Sequence, residues 1–344
     1  QASNGNEYEA RKLTDGVLSD DFLWACSTCL ACDQECPLFI EHIAPLVDMR
    51  RHLVIEGRVD SMLQDALANL ARYGNSFGKS DRRRAAWTKG LEPAIKDARK
   101  EAVETLWFVG DYASYHTGLA EITRKTAQIY QLADLDFGLL YDGERNAGND
   151  VRRAGEEGLF DMLREDNLEQ LKEAQFERIV TTDPHSYNTL KNEYSGNGDS
   201  AWDILHHSQL LDEMIVRGRL NPRRKLDWKV TYQDPCYLGR YNGIYDAPRR
   251  VIHAAGCQLI EMPDHAENAA CCGAGGGHIW MEEGQEETRP SERRIEEIAS
   301  MPGVEALIVA CPKDVVMFQD AVKTTGNENR IQVMELVDVI HAAL

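Results

Sequence analysis

Long apolar runs, a leader peptide and an excess of basic residues are all missing from this sequence of 344 residues. No apolar stretch approaches the roughly 18 residues that span a bilayer, and no charged-then-apolar leader with a cleavage site is visible. The 38 Lys and Arg residues are outnumbered by 57 Asp and Glu, for a net charge of −19. Because phosphate binding requires clustered Lys and Arg, this balance disfavours nucleic acid as a partner. No Ser–His–Asp set or carboxylate pair indicates hydrolysis.

Cysteine is what the sequence does contain: there are nine, in spacings typical of metal sites. Such usage indicates a reducing compartment, so we expect a cytoplasmic protein. Four of them form a C-x2-C-x2-C-x3-C-P run, made of Cys26, Cys29, Cys32 and Cys36 with Pro37 behind the last. A zinc site more often has two C-x2-C pairs separated by a longer loop, and a disulfide framework would not crowd four thiols together. The run therefore predicts a [4Fe–4S] cluster held by these four cysteines.

The pattern of the chain changes near residue 104. Residues 1–100 are predicted to be helical, with apolar residues at helical spacing in 43–56 and 62–73. Beyond them, short apolar runs alternate with amphipathic segments, which is typical of an α/β fold. We expect strands at 105–110, 137–141, 178–182, 229–232, 258–262 and 306–310, and helices at 119–132, 157–173, 247–255 and 291–300. The sequence thus predicts three domains, at 1–100, 101–222 and 223–344.

The two α/β domains have the spacing of a duplication. In the first, 34 residues separate Asp111 from Asn146, and in the second 34 separate Cys236 from Cys271. The next interval is 35 residues in the first domain and 38 in the second. We therefore predict two copies of one α/β unit.

Only the second copy carries cysteines at the shared positions, where open α/β sheets place ligands. These cysteines are Cys236, Cys271, Cys272 and Cys311. The equivalent positions of the first copy are Asp111, Asn146, Ala147, Asp183 and Ser186. Oxygen donors of this kind are hard, whereas iron–sulfur clusters bind soft thiolates. We therefore expect one cluster-binding copy and one copy whose ligands have been lost.

The second copy resembles a known family in its cysteine pattern. The frame Cys236-x34-Cys271-Cys272-Gly273-x37-Cys311 is similar to the cysteine-rich CCG domain of heterodisulfide reductase catalytic subunits. Other members of that family are glycolate and lactate oxidase iron–sulfur subunits and membrane oxidoreductases that take electrons from electron-transfer flavoprotein. The cysteine run followed by two CCG-type units resembles that architecture over nearly the whole chain. The flavoprotein:quinone type resembles it best.

The resemblance implies a helical ferredoxin-type domain followed by two Rossmann-like CCG units, in an iron–sulfur subunit of a larger oxidoreductase. Such a subunit would relay electrons between a flavin partner and a quinone, haem or further redox subunit. The alternative is a heterodisulfide reductase-like catalytic subunit that acts on a disulfide or thiol. Because those reductases use both CCG clusters, the loss of ligands in the first copy disfavours this alternative. A metal-stabilised assembly protein without redox turnover is a third hypothesis.

One departure from the family pattern affects the second site. The last family motif is C-P-x-C, whereas Asp314 stands here in place of the final cysteine. A non-cubane cluster of the reductase type uses five cysteines, and four remain. Either Asp314 supplies an oxygen ligand, or the four thiolates hold an ordinary cube, which is the favoured interpretation.

The other departure concerns the cysteine run. The relatives implied by the resemblance have two such runs, whose fourth cysteines are exchanged between clusters. This chain has one and begins with Gln1 rather than Met. We expect the second run in an upstream segment or on another subunit, through which the protein would associate with a membrane.

Other candidate residues are assigned mainly structural roles. Cys257 fits no motif position and is expected to be a small buried side chain. His278 is expected to be structural rather than to tune a cluster. His185, with Asp111 and Asp183, has donors for a hard metal, but an empty retained pocket is favoured.

Three short stretches complete the expectations. The glycines of 273–277 are expected to let backbone approach a cluster and donate N–H groups to sulfur. The basic stretch 82–84 is predicted to be a solvated loop. Residues 206–207 are predicted to lie on an amphipathic helix, at the surface or in packing contacts.

Overall fold

The N-terminal third of the chain is helical. The computed structural model describes residues 12–195, 202–282 and 288–344. Its first α-helices are α1 Asp20–Trp24, α2 Ala31–Gln34, α3 Ile43–Ile55 and α4 Ser61–Tyr73. Helix α4 begins after Asp60, whose carboxylate accepts a hydrogen bond from the Leu63 N–H, and ends at Gly74 in the left-handed conformation. The two longer helices confirm the periodicity of the sequence at 43–56 and 62–73.

A five-stranded parallel sheet follows, with strand order β1-β3-β2-β4-β5. Its strands are β1 Lys96–Asp97, β2 Val103–Phe108, β3 Phe137–Leu139, β4 Phe176–Thr181 and β5 Asp203–His206. The helices of this unit are α5 Asp111–Tyr115, α6 Ala120–Leu132, α7 Asn149–Arg153, α8 Glu157–Glu173, α9 Pro184–Asn192 and α10 His207–Val216. Strand β2 is buried along almost its whole length, as expected of a central strand covered on both faces.

The last third of the chain forms a four-stranded parallel sheet, with strand order β7-β6-β8-β9. Its strands are β6 Lys229–Tyr232, β7 Gln258–Leu259, β8 Ala306–Val309 and β9 Gln332–Glu335. The helices are α11 Asp246–Ala254, α12 Pro290–Ser300, α13 Pro312–Thr324 and α14 Leu336–Ala343.

The two sheets share one topology, which confirms the predicted duplication. The order β3-β2-β4-β5 of the first unit is the order β7-β6-β8-β9 of the second. Gly148 and Gly273 occupy equivalent loops, and both have a φ of 90°. Pro184 and Pro312 begin the equivalent helices α9 and α13. The first sheet differs by its additional edge strand β1.

The six expected strands and four expected helices of the α/β region are present, with ends that move by at most three residues. Three strands were not foreseen, namely β1, β5 and β9. Each has two to four residues and lies at the edge of its sheet, where no continuous apolar run is required.

One apolar core connects the two sheets. It contains Trp107 and Tyr130 of the first unit together with Val251 and Ile340 of the second, all with at most 1% of their surface exposed. Lys125 of α6 and Asp338 of α14 add an ion pair of 2.8 Å across the same contact. The domain limits at 100 and 222 stay predictions.

Helix length bears on any membrane role. Within the described ranges the longest helix is α8, with 17 residues, and no helix is both long and apolar enough to cross a bilayer.

Candidate functional site

The four cysteines of the second unit lie together at the carboxyl ends of its strands. Cys236 follows β6, Cys311 follows β8 at the start of α13, and Cys271 and Cys272 lie in the loop after β7. Cys272 is next to Cys271 in the chain, and Cys236 and Cys311 are close enough for their charges to act on its thiol. This edge of an open α/β sheet is where such folds bind ligands. We call these four residues the second cysteine site.

The electrostatics of the second cysteine site favour a positively charged occupant. Burial raises the pKa of Cys236 and of Cys311 well above that of an ordinary thiol, and nearby thiols and carboxylates raise it further. A hydrogen bond with Cys272, followed by burial, raises the pKa of Cys271 to about 12. Burial raises the pKa of Asp314 to about 6. Thiolates at such positions require a cationic centre, because a metal ion reverses the penalty of burying negative charge.

Backbone N–H groups donate to two of these sulfurs. Gly273 N lies 3.2 Å from the Cys271 Sγ, and Ala274 N lies 3.5 Å from the Cys272 Sγ. The donor set is thus four thiols, of which two accept N–H groups, beside the buried Asp314 carboxylate. Soft thiolates with hydrogen bonds to sulfur fit an iron–sulfur group.

The cysteine run (Cys26, Cys29, Cys32 and Cys36) borders an exposed apolar groove. Cys26 and Cys32 line this groove, which has a volume of about 550 Å³, together with apolar side chains from α1 and α3. The Cys36 Sγ accepts a hydrogen bond of 3.4 Å from the Ile40 N–H. The apolar side chains behind this cysteine are strongly exposed; they are Leu38 at 76%, Phe39 at 88% and Ile40 at 51%.

The structure also brings the cysteine run against the second cysteine site. The Ser27 Oγ lies 3.1 Å from the Cys271 Sγ, and Arg240 of the second unit donates from Nε to the Cys29 carbonyl at 2.7 Å. A Cβ atom on Gly275 would lie 2.5 Å from the Ser27 carbonyl oxygen. The glycines at 273–277 therefore allow a close approach of the N-terminal backbone as well as the N–H donation that was expected.

Arg50 holds this contact together, and sequence reasoning missed it. It is fully buried on α3, and its guanidinium donates to the carbonyl groups of Leu23, Cys26 and Gly276 at 2.9, 2.5 and 3.1 Å. Arg50 follows Val47 by three residues and therefore lies on the apolar face of α3. This position was the feature of the sequence that could have indicated its burial.

In the first unit, a polar network stands where the second unit has its cysteines. Arg84 pairs with Asp111 at 3.0 Å and with Glu144 at 2.7 Å, and Asn146 Nδ2 donates to Asp111 Oδ2 at 2.8 Å. Arg84 is 3% exposed, so the prediction of a solvated loop is wrong at this residue. An empty pocket was expected at the lost ligand positions of the first unit. At Asp111 it is filled, because the carboxylate oxygens already accept hydrogen bonds from Arg84 and Asn146.

The rest of the lost site faces the second cysteine site. Donor atoms of Asp183, His185 and Cys311 lie within 4.8 Å of one another. The Asp183 carboxylate caps α9 by accepting the His185 and Ser186 N–H groups. The His185 Nδ1 lies 3.1 Å from the Asp150 Oδ2. Asp111 takes no part in this group, so the hard-metal set suggested by the sequence does not assemble.

Three further candidates are placed as follows. Cys257 is 6% exposed within the shared core, which confirms its expected packing role. His206 and His207 are both fully buried, so of the two expected positions, surface or packing contacts, the structure shows packing contacts. The His206 side chain caps α10 by accepting the Ser208 N–H.

These features define a class: an α/β protein of two duplicated parallel-sheet units, with a cysteine-lined site at the strand ends of the second. Residues 107–191 and 230–319 match the cysteine-rich (CCG) domain family, and the chain belongs to this family.

Several curated proteins are similar to the chain over most of its length. A probable iron–sulfur-binding oxidoreductase, FadF, of Bacillus subtilis is 35% identical over 99% of this chain and 49% of its own. An EtfAB:quinone oxidoreductase of Syntrophomonas wolfei is 33% identical over 100% of this chain and 49% of its own. A dihydromethanophenazine:CoB–CoM heterodisulfide reductase subunit of Methanosarcina barkeri is 26% identical over 75% of this chain and 63% of its own. The chain spans about half the length of the first two.

Proposed function

We propose that this chain is the iron–sulfur electron-transfer part of a larger oxidoreductase. The observation that carries the proposal is the contact between the cysteine run and the second cysteine site, where the Ser27 Oγ lies 3.1 Å from the Cys271 Sγ. An iron–sulfur group supplies one-electron transfer when it is bound. Two such groups on these cysteines would be neighbours, which is the arrangement that a relay requires.

The chain's own residues then set the properties of each centre. We propose a [4Fe–4S] cluster at the cysteine run and a second iron–sulfur cluster at Cys236, Cys271, Cys272 and Cys311, with a cube favoured over a non-cubane form. The N–H groups of Gly273 and Ala274 donate to ligand sulfurs and thereby favour the reduced, more negative state. Arg50 fixes the run against the glycine loop.

The partners are proposed from the relatives and from the exposed surface. The names of the similar proteins include an EtfAB:quinone oxidoreductase, so we propose a flavoprotein donor and a quinone, haem or further redox subunit as acceptor. Leu38, Phe39 and Ile40 form an exposed apolar surface beside Cys36, which is typical of a contact with another protein segment. A second cysteine run on that segment would complete the exchange of fourth cysteines. A cytoplasmic location, with membrane association through a partner, stays a prediction.

Iron and sulfide counting with EPR on the purified chain in its complex tests the proposal. Two four-iron centres predict about eight irons per chain. About four irons would show that one site binds none, and the absence of iron would refute the proposal. A Cys311→Ser variant is expected to lose iron from the second cysteine site. Retention of all iron in that variant would refute the assignment of this site.

A disulfide reductase is the second candidate, because one similar protein is a heterodisulfide reductase subunit. Cys272 is 8% and Cys311 1% exposed, which leaves little access for a disulfide substrate and favours the relay. Spectra recorded with and without a disulfide or thiol substrate separate the two functions. A substrate-dependent signal at the second cysteine site would favour the reductase.

A further inference from the structure

Ser27 brings a hydroxyl group from the N-terminal part of the chain to a sulfur of the second cysteine site. It follows Cys26 directly in the sequence, and its Oγ lies 3.1 Å from the Cys271 Sγ. A cysteine that binds a metal is deprotonated, so its sulfur can only accept a hydrogen bond. With Cys271 as a ligand, the Ser27 hydroxyl is therefore the donor, and the hydrogen bond is a charge-assisted one.

The Cys271 sulfur accepts hydrogen bonds from two distant parts of the chain. The Gly273 N–H donates at 3.2 Å from within the same loop of the second unit. Ser27 lies 244 positions earlier in the sequence. A hydrogen bond to a ligand sulfur stabilises the reduced, more negative state of an iron–sulfur group, so each donor raises the reduction potential.

The backbone on both sides of Ser27 is fixed by side chains from outside the cysteine run. Three carbonyl groups accept hydrogen bonds from such side chains, namely Cys26 from Arg50 at 2.5 Å, Thr28 from Tyr241 at 2.8 Å and Cys29 from Arg240 at 2.7 Å. Thr28 is fully buried and has a φ of 52°, a left-handed conformation that is costly for residues other than glycine. The Ser27 hydroxyl is thus held toward the sulfur by a backbone with little freedom to move.

The glycine loop of the second unit leaves the space for this approach. A Cβ atom on Gly275 would lie 2.5 Å from the Ser27 carbonyl oxygen, and one on Gly276 would lie 2.9 Å from the Cys26 carbonyl oxygen. Both oxygens belong to the backbone, so a side chain at either glycine would push this part of the chain away. The close packing that the glycines permit therefore keeps the Ser27 hydroxyl within hydrogen-bond distance of the sulfur.

We propose that Ser27 is a positioning residue that raises the reduction potential of the iron–sulfur centre at the second cysteine site, by donating a hydrogen bond to the Cys271 sulfur. This inference rests on the proposed function, in which Cys271 binds iron. Ser27 acts through Cys271 and is not itself a ligand. Because Ser27 is bonded to Cys26, a proposed ligand of the first centre, the same hydrogen bond joins the two centres through a single residue.

Redox titration monitored by EPR tests the proposal on Ser27→Ala, with the full chain in its complex under anaerobic conditions. We expect the second centre to keep its iron and to have a lower potential, because a donor that favours the reduced state is removed. The loss of one net hydrogen bond corresponds to an equilibrium constant for reduction that is about tenfold smaller, or about 59 mV for a one-electron couple. An unchanged potential would overturn the proposal. Loss of iron from the second centre in a folded variant would also overturn it, since Ser27 would then be needed to bind the cluster.

Thr28→Val and Ser27→Thr are the matched variants. The Thr28 Oγ1 lies 2.8 Å from the Tyr237 hydroxyl, so Thr28→Val removes a neighbouring hydroxyl that bonds to a tyrosine instead of a sulfur. We expect this variant to keep the potential of the second centre. Ser27→Thr retains the hydroxyl and is expected to keep it as well. Equal decreases in Ser27→Ala and Thr28→Val would overturn the proposal, because loosened packing would then explain both.

A measurement on the wild-type protein covers the case in which Ser27→Ala folds poorly. Hydroxyl protons exchange quickly with D2O, whereas the amide protons of packed backbone are protected. We therefore expect ENDOR spectra of the reduced second centre, recorded after a brief transfer into D2O, to show a strongly coupled exchangeable deuteron. Spectra without such a deuteron would overturn the assignment of Ser27 as a donor.

Failure of the proposed function has a different outcome. A wild-type complex without iron refutes the function itself, before any variant is compared. A wild-type complex with two reducible centres, together with an unchanged potential of the second centre in Ser27→Ala, supports the function and refutes the role of Ser27.

Discussion

Among individual residues, a buried charge group between the two units has the largest expected effect on stability. Asp150, His185 and Lys313 are each at most 5% exposed. Lys313 pairs with Asp150, and His185 lies 3.1 Å from the same carboxylate. Burial alone would raise the pKa of Asp150, but the neighbouring positive groups outweigh it and hold the pKa well below the usual range. The carboxylate is therefore charged in the folded protein.

Removing one partner of this pair leaves the other buried without its counter-charge. Lys313→Met is expected to lower the free energy of unfolding by about 3–5 kcal/mol. The double variant Lys313→Met/Asp150→Asn is expected to lose less free energy of unfolding than the two single variants lose in sum. The reason is that each substitution removes the charge that the other leaves unpaired. Anaerobic urea denaturation measures both effects.

The matched control is Arg250→Gln. Arg250 pairs with Asp212 at 2.7 Å, but its side chain is 55% exposed. Its replacement is expected to change the free energy of unfolding by about 0–1 kcal/mol. Equal effects of Lys313→Met and Arg250→Gln would contradict the expected contribution of the buried pair.

His206 predicts a dependence of stability on pH. Burial, followed by the charge of His207, lowers the pKa of His206 well below 6.5 in the folded protein. In the unfolded chain His206 binds a proton below about pH 6.5. The contribution of neutral His206 to the free energy of unfolding is therefore fully present above pH 6.5. It is lost as the pH falls below this value, by up to about 1.4 kcal/mol per pH unit.

His206→Asn isolates this effect, because Asn also caps a helix but does not titrate. The free energy of unfolding of the variant is expected to fall less steeply between pH 6.5 and 5.5 than that of the wild type. Urea titrations at pH 7.5, 6.5 and 5.5 compare the two slopes, which also cancels the contributions of the cysteines. Parallel slopes would show that another group carries the pH dependence.

At the scale of elements, the glycine loop determines how closely the cysteine run approaches the second unit. Gly275→Ala places a Cβ 2.5 Å from the Ser27 carbonyl oxygen, which is backbone and must move. We expect a loss of about 1–3 kcal/mol in the free energy of unfolding. Faster hydrogen exchange at the amides of Thr28 and Cys29 is expected to accompany it.

Gly158→Ala is the control for this variant. Gly158 lies in α8, and nothing is within 4 Å of the position of its Cβ. Alanine is expected to stabilise the helix there by about 0.5–1 kcal/mol. Unchanged exchange at Thr28 in Gly275→Ala would show that the loop tolerates the added methyl group.

The sequence predicts the elements better than their contacts. Apolar runs were sufficient to find the central strands, because burial on both faces dictates their composition, and helical periodicity found α3, α4, α6 and α8 but not α13. The edge strands β1, β5 and β9 carry no such signal. Likewise, the spacing of Cys236, Cys271, Cys272 and Cys311 indicated one site, whereas nothing in the spacing indicates that Ser27 contacts Cys271. Docking of distant segments depends on tertiary geometry, such as the buried guanidinium of Arg50.

At the scale of the whole molecule, the shared apolar core predicts that the two units do not fold separately. Separate expression of 101–222 and 223–344 would expose large side chains such as Trp107 and Ile340, which are buried by both units together. We expect each fragment alone to aggregate, because a contiguous apolar surface of this kind is not stable in water.

Co-expression of the two fragments is the control. It is expected to restore a soluble complex in which Lys125 and Asp338 are again paired across α6 and α14. Sedimentation of the separate and co-expressed fragments measures the difference. Two fragments that are each soluble and folded would contradict a shared core and support independent domains.

The contact between Ser27 and Cys271 joins residues that are 244 positions apart. A ribosome has therefore to synthesise most of the chain before the two surfaces can meet, since domains generally fold in order as they emerge. Until then, Thr28 and Cys29 lack their contacts with Tyr241 and Arg240 of the second unit. A chain truncated before residue 271 is thus expected to lack this contact and to leave the thiols of the cysteine run more open to oxidation.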